Sequence, residues 1–131
     1  FRWYLRSANN EYRYAYVKVA AMYHEGIGTG KNMEKAVQWY RRAATEEDAS
    51  ALTTLGKLYV VGDGVEQDYA TARSLFLTAS LQGYPEAQYN LGVMYFRGWG
   101  VKKDVETAIE WFRKAADRGD EKAIAALESL Q

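Results

Sequence analysis

Cysteine is absent from this 131-residue chain, and histidine and proline each occur only once. Without cysteine there can be no disulfide framework, no thiolate nucleophile and no zinc site built on sulfur ligands. His24 has no second histidine to share a metal ion, and no G-x-S-x-G sequence marks a serine nucleophile. The sequence therefore predicts no metal, no cofactor and no catalytic residue, and it favours a non-enzymatic function.

Charge of one sign and long apolar runs are also lacking. The 17 basic and 17 acidic residues give a formal net charge of zero, and nucleic acid is not predicted as a partner because binding to phosphates needs a basic excess. No apolar run approaches the roughly 20 residues that cross a bilayer. The chain begins with Phe1 rather than methionine, so a trimmed parent is expected. The compartment stays open between the cytoplasm and a periplasmic or lumenal space.

What the chain does contain is one pattern written three times with a period of 36 residues. The segment 91–101, LGVMYFRGWGV, corresponds to LGKLYVVGDGV at 55–65 and more loosely to VAAMYHEGIGT at 19–29. Each copy ends one helical pattern, passes through two glycines and leads into another. A fixed period of this length is typical of stacked helix pairs. The sequence therefore predicts an all-α solenoid of antiparallel helix pairs.

Each repeat is predicted to contain two helices joined by a turn. The first-type helices are expected near 12–25, 49–61 and 85–97, and the second-type helices near 33–46, 69–82 and 105–118. The glycines expected in the left-handed conformation at the ends of first-type helices are Gly26, Gly62 and Gly98. The side chains expected to cap second-type helices are Asn32, Asp68 and Asp104.

Glycine also recurs inside the first-type helices. Gly56 and Gly92 occupy the same position of the repeat, although glycine in a helix interior costs about 1 kcal/mol relative to alanine. We therefore expect a crossing helix to press on the backbone at this position. A large residue there should be strongly destabilising.

The whole chain, 1–131, is predicted to be one repeat domain. Its predicted parts are the end of a preceding repeat at 1–12, three repeats at 13–48, 49–84 and 85–120, and a C-terminal capping helix at 121–131. In the last helix Glu128 and Gln131 replace the glycine and tyrosine of the earlier copies, so stacking is expected to end there. At the other end Phe1, Trp3 and Tyr4 belong to a second-type helix without its partner, and their rings are expected to be exposed.

The copy from Ala87 to Gly119 resembles the Sel1-like repeat, a relative of the tetratricopeptide repeat. It carries the pattern A-x-x-x-L-G-x-x-Y-x-x-G-x-G-V-x-x-D, followed by A-x-x-W-[FY]-x-x-A-A-x-x-G. The resemblance implies a right-handed α/α superhelix that serves as an adaptor for other macromolecules. Some cysteine-rich members of the family are associated with binding or hydrolysing β-lactams, and this chain has none of their cysteines.

Side chains of the first-type helices that the core periodicity does not explain are predicted to form the concave wall of the solenoid. Apolar and amide groups among them indicate a groove for an extended or helical segment of a partner protein. The predicted partner-binding residues are Tyr14, Lys18, His24, Lys57, Val60, Val61, Tyr89, Asn90, Val93, Phe96 and Arg97. For Val60, Val93 and Phe96, packing between adjacent repeats is the alternative to exposure in the groove.

The favoured interpretation is thus a protein–protein interaction adaptor or scaffold. The alternative is a structural self-assembly or envelope-associated assembly module, in which Phe1, Trp3 and Tyr4 dock on another copy. A β-lactam-directed enzyme is a third hypothesis, and it depends only on the family resemblance.

Overall fold

A computed structural model describes residues 1–9 and 14–130, which form eight helices joined by short turns. In chain order these are α1 (Arg2–Asn9), α2 (Tyr14–Glu25), α3 (Met33–Thr45), α4 (Ala49–Val61), α5 (Tyr69–Leu81), α6 (Pro85–Arg97), α7 (Val105–Asp117) and α8 (Glu121–Ser129). Each helix packs mainly against its neighbours in the chain, as expected of a solenoid. The predicted all-α fold of paired helices is confirmed. The expected helix start at residue 12, the repeat boundary between 12 and 13, and Gln131 lie outside the described residues.

The turns after the first-type helices depend on left-handed glycines. Gly62 and Gly98 have φ angles of 76° and 71°, and their amides donate to the carbonyls of Leu58 and Met94. Gly26 has a φ angle of 73° at the same position of the first repeat. Glycine adopts this conformation without a steric penalty, so the predicted helix ends are confirmed.

Side-chain caps begin the second-type helices, as predicted. Oxygens of Asn32, Asp68 and Asp104 accept hydrogen bonds from the amides three residues later, at 3.1, 3.2 and 3.0 Å. Thr71 and Thr107 also donate their hydroxyls to the two aspartates at 2.7 Å. The Thr71 hydroxyl is the main cause of the lowered pKa of Asp68, and the Thr107 amide is the main cause of the lowered pKa of Asp104. These bonds favour the ionised carboxylates.

The expected helix crossings occur at the two interior glycines. A Cβ atom on Gly56 would lie 2.5 Å from a ring carbon of Phe76, and one on Gly92 would lie 2.5 Å from the ring of Phe112. Both rings are buried, so a side chain at either glycine would force a packed ring to move. The absence of a side chain at these glycines allows α5 and α7 to approach α4 and α6 closely.

The N-terminal rings differ from the prediction. Phe1 packs edge-on against Tyr23, with ring centroids 5.1 Å apart, and Tyr4 packs against the first core cluster. Phe1 and Tyr4 are thus half-buried, so the expectation of fully exposed rings is wrong for these two residues, because both pack against the first core cluster. Trp3 is 60% exposed, so the expectation is confirmed for Trp3.

One turn carries strain that the others avoid. Glu47 follows α3 with a φ angle of 58°, while Gly83 and Gly119 have φ angles of 82° and 87° at the corresponding positions. A residue with a Cβ atom pays a steric cost in this conformation. The first repeat therefore has a less stable turn than the other two.

Gly92→Leu is expected to lower the free energy of unfolding by about 3 kcal/mol, because the new side chain has to displace Phe112. Thermal denaturation followed by circular dichroism would show a fall in Tm of about 10 °C. Gly30→Leu is the matched control, since a Cβ atom on Gly30 would have no heavy atom within 4 Å. Equal Tm values for the two variants would contradict the close crossing.

Glu47→Gly is expected to raise the free energy of unfolding by about 0.5–1 kcal/mol, because it removes the left-handed strain. The gain is reduced by the larger backbone entropy that glycine loses on folding. Gly119→Ala is the reverse control. A Cβ atom there would touch nothing within 4 Å, so its expected loss of about 1 kcal/mol reflects the φ angle alone. Urea denaturation of both variants measures the effects, and a less stable Glu47→Gly protein would refute the strain.

Candidate partner-binding groove

Two neighbouring hollows open on the face formed by the first-type helices. The central hollow, of about 190 Å³, lies between α4 and α6. The C-terminal hollow, of about 180 Å³, lies between α6 and α8. Val93 lines both hollows, so they adjoin one another. Together they are called the groove below.

Eight of the predicted binding residues line this groove. Those in the central hollow are Lys57, Val60, Val61, Asn90 and Val93, and those in the C-terminal hollow are Tyr89, Val93, Phe96 and Arg97. They include every predicted binding residue of the second and third repeats. The 36-residue register explains why periodicity found them: equivalent positions on α4 and α6 project from the same face. That a partner binds there stays a prediction.

The three predicted residues of the first repeat are not part of these hollows. Tyr14 lies near the start of α2, with its ring centroid 6.3 Å from that of Trp3. His24 turns towards α3, where its Nδ1 lies 3.2 Å from the hydroxyl oxygen of Tyr40. Lys18 is exposed on α2. The structure therefore assembles the candidate site from the second and third repeats.

The central hollow has a mainly apolar lining. Phe76 and Met94 are buried beneath it, and Val60 packs against their cluster while also lining the hollow. Packing between repeats and exposure in the groove thus both apply to Val60. Val61 stands at the edge with 69% of its surface exposed, which gives the groove an apolar rim.

Trp99 is a groove residue that the sequence analysis missed. It lines the central hollow and stacks on Tyr69 of the preceding repeat, with ring centroids 5.7 Å apart and planes 3° apart. The guanidinium of Arg97 lies 5.5 Å from the Trp99 ring centroid. The equivalent residues of the other copies are Ile27 and Asp63, so the repeat pattern gave no sign of a groove residue at this turn. The sequence signal that could have identified Trp99 is a tryptophan at a position where the other two copies have unrelated residues.

One ion pair joins α4 to α6 at the rim, and a second polar side chain there bonds within α6. The Nζ atom of Lys57 lies 2.6 Å from Oε1 of Glu86, which links α4 to α6. The Nδ2 atom of Asn90 donates to the backbone carbonyl of Glu86 at 2.9 Å. Lys57 therefore already has a carboxylate partner that a ligand would have to share.

Two other cations lie beside the aromatic rings of the groove. Arg97 is placed against Trp99, and the Nζ atom of Lys103 lies 5.9 Å from the ring centroid of Phe96. Within residues 1–9 and 14–130, neither cation has a carboxylate at ion-pairing distance. Both charges are exposed and remain available to an acidic ligand.

The same part of the chain shows no group of three or more histidine, aspartate or glutamate side chains placed to hold a metal ion. None of the described helices is both long enough and apolar enough to cross a membrane.

Comparison with known families assigns the repeat. The model of the Sel1 repeat matches residues 13–48, 49–84 and 85–120. The chain belongs to the Sel1 repeat family. The 36-residue helix pairs described above are therefore Sel1 repeats. A comparison with curated protein sequences finds no match.

Solved structures of other repeat proteins are similar over nearly the whole chain. A Sel1 repeat protein from Oxalobacter formigenes is 33% identical with a TM-score of 0.91, covering 96% of this chain and 51% of its own. A protective antigen of uropathogenic Escherichia coli strains is 34% identical with a TM-score of 0.88, covering 93% of this chain and 26% of its own. This Sel1 repeat chain thus spans about half and about a quarter of those two proteins.

A third similar structure is cysteine-rich protein B of Helicobacter pylori. It is 21% identical with a TM-score of 0.72, and the match covers 95% of this chain and 90% of that one. At this identity the likeness concerns the fold alone.

Tyr40, in the contact between α2 and α3, makes the free energy of unfolding depend on pH in the alkaline range. Burial raises the pKa of Tyr40 to about 12, and the charge of Glu25 adds to the rise. An unfolded tyrosine titrates near pH 10, so between about pH 10 and 12 the folded state holds a proton that the unfolded state has lost. The contribution of Tyr40 is fully present below pH 10 and is lost as the pH rises through 12.

The free energy of unfolding is therefore expected to fall more steeply from pH 10 to 12 in the parent protein than in Tyr40→Phe. Urea denaturation at pH 8, 10 and 11.5 measures the two profiles. The remaining tyrosines are common to both proteins, so any contribution they make cancels in the comparison. Parallel profiles would contradict a raised pKa of Tyr40.

Proposed function

We propose that this Sel1 repeat chain is a non-catalytic interaction module that binds a segment of a partner protein along the groove. Two adjoining hollows on one face of successive repeats, of which the central one is mainly apolar, are the observation that carries the proposal. Sel1 repeat solenoids are generally protein-interaction modules. Concave surfaces with continuous apolar patches are typical binding sites of such solenoids.

The composition of the groove supports binding energetically. Its tyrosine, tryptophan and arginine side chains are the types that most often dominate binding energy at interfaces. The stacked rings of Tyr69 and Trp99, with Arg97 against Trp99, are held in place before a ligand arrives. Such preorganisation lowers the entropy lost on association.

The groove lining also supports a non-catalytic role. Among the described residues that line it there is no histidine, and the hydroxyl of Ser129 donates to the carbonyl of Ala126 at 2.8 Å. This hydroxyl therefore has no histidine among those residues to act as its general base. We expect no hydrolysis of a chromogenic β-lactam above the buffer rate. A rate that rises in proportion to protein concentration would contradict the non-catalytic proposal.

A second candidate is self-association through the N-terminal ring of Trp3, which is 60% exposed beside Tyr14. Multi-angle light scattering at increasing protein concentration tests it. A dimer that disappears in Trp3→Ala would support self-association, and a monomer at every concentration would exclude it.

The groove itself is tested by affinity capture from source lysate. Tyr89→Ala/Arg97→Glu is expected to weaken capture of the partner by about tenfold or more, because it removes an aromatic anchor and reverses a charge. Since Tyr89 also packs on Phe112, with centroids 5.6 Å apart, the single Arg97→Glu variant is run beside it.

Leu81→Ala/Arg113→Glu is the matched control, because it makes the same kinds of change at exposed positions of the second-type helices. Circular dichroism confirms that each variant is folded. Equal capture by the parent and by both groove variants would show that the groove is not the binding site.

A further inference from the structure

We propose that the groove selects an acidic segment with two apolar side chains, one for each hollow. The inference rests on the proposed function and names the chemistry of the partner. It derives from the size of the hollows, their shared wall at Val93 and the charges around them.

Each hollow has room for one apolar side chain. Cavities of about 150 Å³ with apolar walls hold a benzene ring, and the two hollows measure about 190 and 180 Å³. Phe76, Met94 and Trp99 line the central hollow, while Phe96 and Phe112 line the C-terminal one. A leucine-sized or phenylalanine-sized side chain therefore fits either hollow, and its burial is favourable.

The two hollows are close enough for one segment to fill both. Val93 of α6 lines both of them, so they adjoin one another on the same face of the chain. Two apolar side chains of a single bound segment can therefore enter one hollow each.

The charges around the groove favour acidic residues between and beside these anchors. Arg97 and Lys103 are exposed cations without a carboxylate partner in the described part of the chain. The described residues that line the two hollows include the cations Lys57 and Arg97 and no carboxylate, and Lys57 is paired with Glu86 at 2.6 Å. The groove thus presents an excess of positive charge, although the whole chain is neutral. Complementary charge on the ligand would speed encounter and reject basic segments.

Selection from a phage-displayed library of random dodecapeptides tests the inference. The parent chain is expected to enrich peptides with two apolar residues at a recurring spacing and with several aspartates or glutamates. Fluorescence anisotropy then measures the affinity of one enriched peptide and of two matched versions, one with the apolar pair changed to serine and one with the acids changed to amides. Each change is expected to weaken binding at least fivefold, and the affinity of the acidic peptide should fall as salt is added.

Arg97→Glu/Lys103→Glu supplies the matched protein variant, since both side chains are exposed and the change should leave the fold intact. It is expected to bind the acidic peptide at least fivefold more weakly than the parent chain and to enrich basic peptides in a new selection. Lys114→Glu, an exposed charge reversal on α7, should leave affinity unchanged.

The outcomes separate this inference from the proposed function. Enriched peptides that are neutral or basic, or that share no pair of apolar residues, would overturn the inference. If Tyr89→Ala/Arg97→Glu still abolished their binding, the groove would remain the binding site. Peptides whose binding is unaffected by that variant, or a selection that yields no binders, would count against both the inference and the proposed function. A dimer of the chain that Arg97→Glu/Lys103→Glu dissociates would make a second copy the occupant and would also overturn the inference.

Discussion

The rest of the structure depends on the contact between an interior glycine of α4 or α6 and a phenylalanine ring of the helix that follows. At Gly56 and Gly92 the ring of Phe76 or Phe112 occupies the space that a side chain would need. Glycine lowers the helix propensity at this position. Burial of a whole aromatic ring against the backbone offsets that cost. The contact fixes how closely the two helices of a repeat approach, and repetition every 36 residues fixes how the repeats stack. The left-handed glycines and the aspartate caps then set the length of each helix.

This geometry explains why a groove forms where it does. With the second-type ring inserted beneath it, a first-type helix leaves the opposite side chains facing away from its partner helix. On α4 and α6 these side chains are valines, aromatic rings and cations. Trp99 adds a wall from the turn, and its stack on Tyr69 ties that wall to the preceding repeat. The proposed binding site is therefore a product of two repeats, and the rigidity of the stack preorganises it.

Much of the fold and of the candidate groove could be predicted from the sequence, because the repeat supplies three aligned copies within one chain. Helix positions, caps and left-handed glycines recur in register, and the close crossing recurs in the second and third repeats. Six of the eight groove residues form pairs 36 residues apart, namely Lys57 and Val93, Val60 and Phe96, and Val61 and Arg97. What periodicity could not predict depends on individual side chains. His24 bonds to Tyr40 instead of lining the hollows, and Phe1 is covered by α2. Trp99 went unnoticed because its position is not aromatic in the other copies. Contacts made by one copy alone leave no repeated signal.

Site-specific photo-crosslinking in the source cell would test the central claim, that the groove holds a partner protein, most directly. A photoreactive phenylalanine analogue replaces Val61, whose side chain is 69% exposed at the rim of the central hollow, or Leu81, which is 78% exposed on α5. We expect irradiation to give one discrete adduct with another protein from position 61 and none from position 81. Adducts from position 81 but not from position 61 would place the binding surface on the second-type helices and contradict the account.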